Sequence, residues 1–193
     1  MSKRIAIIQG HPDATREHFG HVLERSYAEG SVSSGHEIKQ VRVAELDFPL
    51  LRSKDEWETM PPVPAISSAQ ETIAWAHHLI ILFPLWLGTM PALFKAFLEQ
   101  TLRPGFAFTA APAPGKKLLI GKSARVVITM GMPAFIYRWY FFAHGLRGLE
   151  RNILGFTGVS PIRSTMIGMI ESENDSVRQQ WLAKMFTMGG HAS

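Results

Sequence analysis

Three short apolar runs constrain this chain most: Ile5 to Gln9, Leu79 to Phe83 and Ala124 to Thr129. None shows the polar alternation of a half-exposed strand, and each stops at or near a Gly or Pro (Gly10, Pro84, Gly131). Runs of this kind suit strands buried on both faces, the pattern of a parallel sheet. Helical spacing separates them. Phe19, Val22, Leu23 and Tyr27 recur at helical intervals within Glu17 to Gly30. Ile66 to Ala76 is predicted helical with Ser67 or Ser68 as cap, and Pro91 to Leu102 is predicted helical with Pro91 where a missing N–H is tolerated. Glu37 to Val43 suits an outer strand and Ile162 to Gly168 a last strand. Ile136 to Leu154 is expected to hold one or two helices around Gly145 and Gly148, and Asp175 to Met185 a closing helix capped by Asn174. Asp47 to Pro64 and Pro104 to Lys122 are expected to be loops. Alternating strands and helices give an α/β domain of residues 1–193, with a five-stranded parallel sheet of order 2-1-3-4-5 and right-handed crossovers.

Composition narrows the chemistry. The chain has 193 residues and no cysteine, which excludes disulfides, thiolate zinc sites and a Cys nucleophile. Lys and Arg number 20 against 16 Asp and Glu, a net charge of +4. These basic residues are scattered, without the stripe or reader motif of a nucleic-acid-binding module. The start of the chain reads directly into a strand, without a signal-like apolar region. The uncharged stretch Leu79 to Phe94 is interrupted by Pro84, Gly88 and Pro91 and is too short for a membrane helix. The expectation is a soluble cytoplasmic protein without membrane insertion.

Several motifs fail on spacing. Gly115 to Ser123 imitates a phosphate loop, but it has one residue too many between its glycines and precedes a strand instead of following one. Neither GxGxxG nor GxSxG occurs. His18 and His21 share one helix face, yet no acidic residue completes a metal set, so no metal site is expected.

In parallel α/β sheets the ligand lies beyond the carboxyl ends of the strands. That selects three loops. The first, Gly10 to Phe19, joins a strand to a helix whose free N–H groups and dipole suit a phosphate, with His11, Thr15, Arg16 and His18 as further donors. The second, Phe83 to Ala92, is apolar where a solvated loop would be polar, which suits cover for a flat ligand. The third, Thr129 to Pro133, leads into a segment dense in aromatics, in which Tyr137, Tyr140 and His144 also carry polar groups.

These residues resemble the flavodoxin-like NAD(P)H:quinone oxidoreductases, whose bacterial members include modulators of drug activity and potassium-efflux ancillary proteins. The most specific part is Phe83-Pro84-Leu85-Trp86-x-Gly88-x-x-Pro91-Ala92-x-x-Lys95, followed by Gly105-Phe106-Ala107-Phe108. Gly10-His11-Pro12 and Thr129-x-Gly131 with a later Tyr and His-Gly are further matches. The resemblance implies a flavodoxin-like three-layer sandwich, bound FMN or alternatively FAD, and NAD(P)H as co-substrate. It implies His11, His18 and Phe19 at the flavin phosphate. Pro84, Leu85, Trp86, Leu87 and Gly88 would hold the ribityl chain and ring edge, and Thr129, Met130 and Gly131 the ring's polar edge. Tyr137 and His144 would lie near the reactive nitrogen, and Phe108 would line the substrate site of the partner in a homodimer. The chain departs from the family in three places. The family's Ser-Phe-Asn is here His18-Phe19-Gly20, its Tyr after Gly-Phe-Ala is Phe108, and Tyr137 to His144 is one residue longer.

The expected function is transfer of a hydride from NAD(P)H through flavin to a quinone or similar acceptor. Two alternatives from other classes are a flavin-binding regulatory subunit of a membrane transporter and a one-electron flavodoxin carrier. Such carriers usually present an acidic face, and this chain's sequence pI is near 9.6.

Overall fold

A computed structural model describes residues 2–110, 115–171 and 174–193 of the chain. Five strands form one parallel sheet: β1 (Arg4–Gln9), β2 (Glu37–Arg42), β3 (His78–Pro84), β4 (Ser123–Thr129) and β5 (Ile162–Ile167), in the order β2-β1-β3-β4-β5. The order is the expected one. The strands with apolar runs are the three central ones, buried almost throughout, whereas β2 and β5 at the edges are half exposed.

Alternate residues of the central strands feed two cores. Ala6, Ile8, Ile81, Phe83, Val126 and Ile128 face one side and pack with Ile66, Ile73, Phe94 and Phe97 of α3 (Pro64–Trp75) and α4 (Ala92–Thr101). Ile5, Ile7, Ile80, Leu82, Val127 and Ile167 face the other and pack with Leu23, Tyr27 and Met185 of α1 (Phe19–Ser33) and α8 (Asp175–His191). Helices therefore cover both faces, as a parallel sheet requires.

Local chemistry explains where the helices depart from expectation. The segment from Asp47 to Pro64 contains a short helix, α2 (Lys54–Glu58), because Ser53 accepts the Glu56 N–H at 3.1 Å and Asp55 and Glu56 suit the first turn. Helix α3 starts at Pro64, with Val63 rather than Ser67 or Ser68 at its cap, since proline fits the first helical position. The expected cap of α8 is present: Asn174 Oδ1 accepts the Val177 N–H at 3.1 Å. After β4 the chain forms α5 (Ala134–Trp139), α6 (His144–Arg147), a π-helical turn (Gly148–Leu154) and α7 (Gly155–Thr157). The loop expected from Pro104 to Lys122 lies partly outside the described residues, at 111–114.

Helices α1 and α8 run past Gly30 and Met185, the ends expected for them, because glycines let their backbones touch. A Cβ on Gly30 would stand 1.9 Å from the Phe186 carbonyl oxygen, and one on Gly189 2.1 Å from that of Tyr27. Ser31 Oγ donates to Tyr27 O at 2.8 Å and to Gly189 O at 3.2 Å across this contact. Gly189→Ala is expected to force the helices apart and to lower unfolding stability by about 1–3 kcal/mol. Urea denaturation checks this; an unchanged midpoint would show that the contact is not close in solution.

Candidate functional site

The first loop is built on Gln9, a buried polar residue at the end of an apolar strand. Its Oε1 accepts the His11 N–H at 3.1 Å, and its Nε2 donates to Glu24 Oε2 at 3.0 Å and to Gly20 O at 3.2 Å. The next residue must be glycine, because a Cβ on Gly10 would meet the Phe94 ring at 2.7 Å. Asp13 then folds the turn on itself. Its Oδ1 accepts the Thr15 N–H at 2.8 Å and the Thr15 hydroxyl at 2.6 Å, and its Oδ2 accepts from His18 Nε2 at 2.7 Å. The His18 ring thereby stacks on His11 with centroids 3.9 Å apart. His18 is the N-cap of α1, and its N–H donates to His21 Nδ1 at 3.0 Å, so the N3 side chain reaches back as in half a capping box.

This geometry sets the protonation. Burial lowers the His11 pKa to about 4, with His18 and His21 adding to the effect. Burial likewise lowers that of His21. Hydrogen bonds from Thr15 and His18 hold the Asp13 carboxyl well below the usual range. The Asp13 N–H donates to His11 Nδ1 at 3.1 Å, so the neutral ring carries its proton on Nε2. A helix N-terminus and neutral imidazole N–H donors converge here, beside a hollow of about 270 Å³ lined in part by Arg16, Arg25 and Arg42. Glu17 and Glu45 pair with Arg25 at 2.8 Å and with Arg42 at 3.4 Å. The free N–H groups of such a helix start are donors of the kind an anion can use.

The second loop ends in a tight hairpin. Trp86 and Thr89 exchange N–H···O bonds of 2.9 and 3.1 Å around Leu87 (φ 47°) and Gly88 (φ 80°), both left-handed as in a type I′ turn. A left-handed leucine costs roughly 1–2 kcal/mol, and Leu87 is fully exposed at the turn's tip. The Leu85 N–H donates to Thr129 O at 2.8 Å, which joins this loop to the end of β4. Half-exposed Trp86 and His11 meet nearly at right angles, centroids 6.3 Å apart.

Tyr137 ties the second loop to the third segment. It is buried; its hydroxyl donates to Gly88 O at 3.3 Å and accepts the Leu146 N–H at 3.1 Å. Burial raises its pKa, which keeps the hydroxyl protonated. The backbones come so close that a Cβ on Gly145 would stand 2.5 Å from Gly88 O. Phe142 and Ala143 take left-handed conformations in the turn between α5 and α6. In the third loop, Thr129 and Met130 are buried, Met130 N–H donates to Ile167 O at 2.9 Å, and Gly131 is exposed.

The structure thus brings together His11, His18 and Trp86, links Gly88 to Tyr137, and sets Pro84, Leu85, Thr129 and Met130 at adjoining strand ends. His144 is exposed, its ring 5.8 Å from that of Phe142. Phe19 turns inward to the α1/α8 core, with the Arg178 guanidinium 5.6 Å over its ring. Phe108 sits apart, between Trp57 and Phe156 with centroids at 5.8 and 5.0 Å, in an apolar hollow of about 250 Å³. Sequence reasoning gave no role to Gln9 or Asp13, weighed His21 only as a metal ligand, and named Gly145 only beside a helix and within the family match. Two signals were available: a polar residue closing an apolar strand, and an Asp with a hydroxyl residue two positions on.

Two outcomes are expected. Tyr137→Phe leaves the buried Leu146 N–H without an acceptor and is expected to lower stability by about 1–3 kcal/mol in urea denaturation. His11 and His78 both have a folded pKa near 4, below the ordinary 6.5. The unfolded chain therefore binds more protons between these values, so stability is complete above about pH 6.5 and falls as pH drops towards 4. A denaturation series across this range checks the slope, and His11→Asn is expected to flatten it.

A family model described as a flavodoxin-like fold matches residues 3–186. An uncharacterized NAD(P)H oxidoreductase of Haemophilus influenzae is 24% identical over 177 residues, 90% of this chain and 87% of that protein. The NAD(P)H:quinone oxidoreductase from Methanothermobacter marburgensis superposes with a TM-score of 0.82 at 22% identity, over 99% of this chain and 97% of that one. An FMN-dependent NADH-azoreductase from Bacillus anthracis, solved in complex with FMN, gives a TM-score of 0.76 at 14% identity, over 98% of each chain. With its sheet order, its two-sided helical cover and this match over most of its length, the chain belongs to the flavodoxin-like fold family.

Proposed function

We propose that this protein is a flavin-dependent NAD(P)H oxidoreductase that passes a hydride from NAD(P)H through bound FMN to a quinone or a similar acceptor. One observation carries the reading. At the switch point between β1 and β3, a turn of stacked imidazoles at a helix N-terminus meets a glycine-and-tryptophan hairpin, His11 against Trp86 at 6.3 Å. The names of the relatives and of the solved neighbours point the same way.

The residues fit a flavin. The first N–H groups of α1 and the His11 Nε2–H would hold its phosphate, with His18 ordering the turn through its bond to Asp13. Pro84 to Gly88 would border the ribityl chain and ring, and Thr129 to Gly131 its polar edge. When bound, the flavin supplies the two-electron relay between nicotinamide and acceptor. The chain's own residues orient and balance charge. Tyr137 acts as a positioning residue, because both hydrogen-bonding positions of its hydroxyl are committed to Gly88 and Leu146. Exposed His144 is the group that would hold or give a proton at the acceptor.

A second copy of the chain would complete the site. Trp86, Leu87, Trp139, Tyr140 and Phe142 are large apolar residues left more than half exposed. The hollow around Phe108 would then face the partner's ring. Among the described residues no helix is long and apolar enough to cross a membrane. The NAD(P)H it consumes makes the cytoplasm its expected compartment.

Purified protein reconstituted with FMN is expected to turn yellow, to release FMN on denaturation, and to oxidise NAD(P)H in the presence of a quinone. His11→Ala is expected to weaken FMN binding roughly 10-fold to 100-fold, the loss of a hydrogen bond to a charged group. Protein that binds neither FMN nor FAD would overturn the proposal. Protein that binds flavin but turns over no quinone would favour the regulatory alternative.

A further inference from the structure

Among the described residues, Glu24 is the only acidic side chain that is buried, at 1% exposure. It lies on α1 one turn after Gly20, so both reach the end of β1. Its Oε2 accepts from Gln9 Nε2 at 3.0 Å, and Gly20 O accepts from the same nitrogen at 3.2 Å. Its Oε1 makes no hydrogen bond and stands 3.5 Å from Nε of half-exposed Arg42. An enclosed carboxylate is costly to bury. One hydrogen bond and a half-solvated arginine offset little of that cost, and the cost falls where the first loop begins.

Glu24 reaches the loop through an amide with two unlike ends. Gly10 N–H donates to Leu82 O at 2.7 Å and closes the β1–β3 ladder. The next N–H, that of His11, is met by a side chain, Gln9 Oε1 at 3.1 Å. Turned over, the same amide would set its NH2 against that N–H and its oxygen against Glu24 Oε2. A carboxylate only accepts, and a charged acceptor holds a donor more firmly than a neutral carbonyl such as Gly20 O. Glu24 thereby disfavours the inverted amide. With its backbone held, His11 takes the Asp13 N–H on Nδ1 at 3.1 Å and stacks on His18 with centroids 3.9 Å apart.

We infer that Glu24 is a positioning residue of this site: it holds Gln9 with its oxygen towards the loop, and Gln9 holds His11 for the flavin phosphate. The last step rests on the flavin reading; the orientation of Gln9 and His11 does not.

Two readings on Glu24→Met, Glu24→Gln and the unaltered protein test this. One is the His11 backbone amide resonance in flavin-free protein, and the other the FMN dissociation constant from quenching of flavin fluorescence. Glu24→Met removes the acceptor. The His11 amide is expected to move upfield as its bond to Gln9 is lost, and FMN binding to weaken about tenfold. Glu24→Gln also loses the ion pair with Arg42 but keeps an oxygen within reach of Gln9 Nε2. It is expected to hold the His11 resonance in place and to bind FMN within about threefold of the unaltered protein. A Glu24 that served stability alone would lower the urea midpoint of both variants and leave the His11 amide and the FMN affinity of folded protein where they were. If Glu24→Met does not fold, Glu24→Asp replaces it, keeping the charge and withdrawing the acceptor by one methylene, with the same His11 shift expected. An unmoved His11 amide in Glu24→Met or Glu24→Asp would overturn the inference, as would Glu24→Gln as impaired as Glu24→Met. A displaced His11 amide with undiminished FMN affinity would overturn the role in binding. If the unaltered protein binds no flavin, the flavin reading fails, while the His11 resonance still decides whether Glu24 positions the turn.

Discussion

A parallel sheet covered by helices on both faces leaves its polar groups few places to go. Ile5, Ile7, Ile80 and Ile81 are completely buried, and the ladder satisfies their backbone groups. Side chains that hydrogen-bond or carry charge are therefore pushed to the strand ends. At the carboxyl ends they are Gln9, His11 and Thr129, and at the amino ends Lys3, His78, Ser123 and Arg125. The fold is thus an apolar slab with two polar rims, and the proposed flavin site is a consequence of that separation.

At the carboxyl rim, three loops act together because of a few polar links. Leu85 N–H to Thr129 O joins the second loop to β4, and the Tyr137 hydroxyl joins Gly88 to Leu146. Small residues permit this closeness: Gly10 lies against Phe94, and Gly145 against Gly88. The left-handed residues Leu87, Phe142 and Ala143 cluster in the same region. Backbone strain of this sort persists where neighbouring structure over-determines it, often at ligand sites. Here it turns Leu87 and Phe142 outwards, into an exposed apolar surface suited to a ring or a second subunit.

Much of the fold was legible in the sequence for a simple reason. Burial on both faces removes polar alternation, so β1, β3 and β4 stood out as unbroken apolar runs and the helices between them as periodic ones. The Asn174 cap was legible because a short side-chain acceptor before a helix has one obvious use. Boundaries were less so. Nothing local says that α1 continues beyond Gly30, since a mid-helix glycine ordinarily weakens a helix. The reason lies in α8, whose own Gly189 meets it. The helix α2 escaped notice because a single capped turn leaves almost no periodic signal.

The candidate site divides in the same way. Its location and its donors, His11 and His18 in a strand-to-helix turn and Pro84 to Gly88 after a buried strand, follow from residue order, because parallel sheets bind ligands at the carboxyl ends. Pairings did not follow from order. Tyr137 reads equally well as a proton donor or as a core residue until its hydroxyl is found between Gly88 and Leu146. His78 reads as the start of a strand until Ser123 Oγ of the neighbouring strand is found 2.8 Å from its Nδ1. The sequence by itself determined a doubly covered parallel sheet and the loops that crown it, since these follow from periodicity within each segment. Only the tertiary structure decided which side chains meet, because strands far apart in the chain become neighbours only when the sheet closes in its 2-1-3-4-5 order.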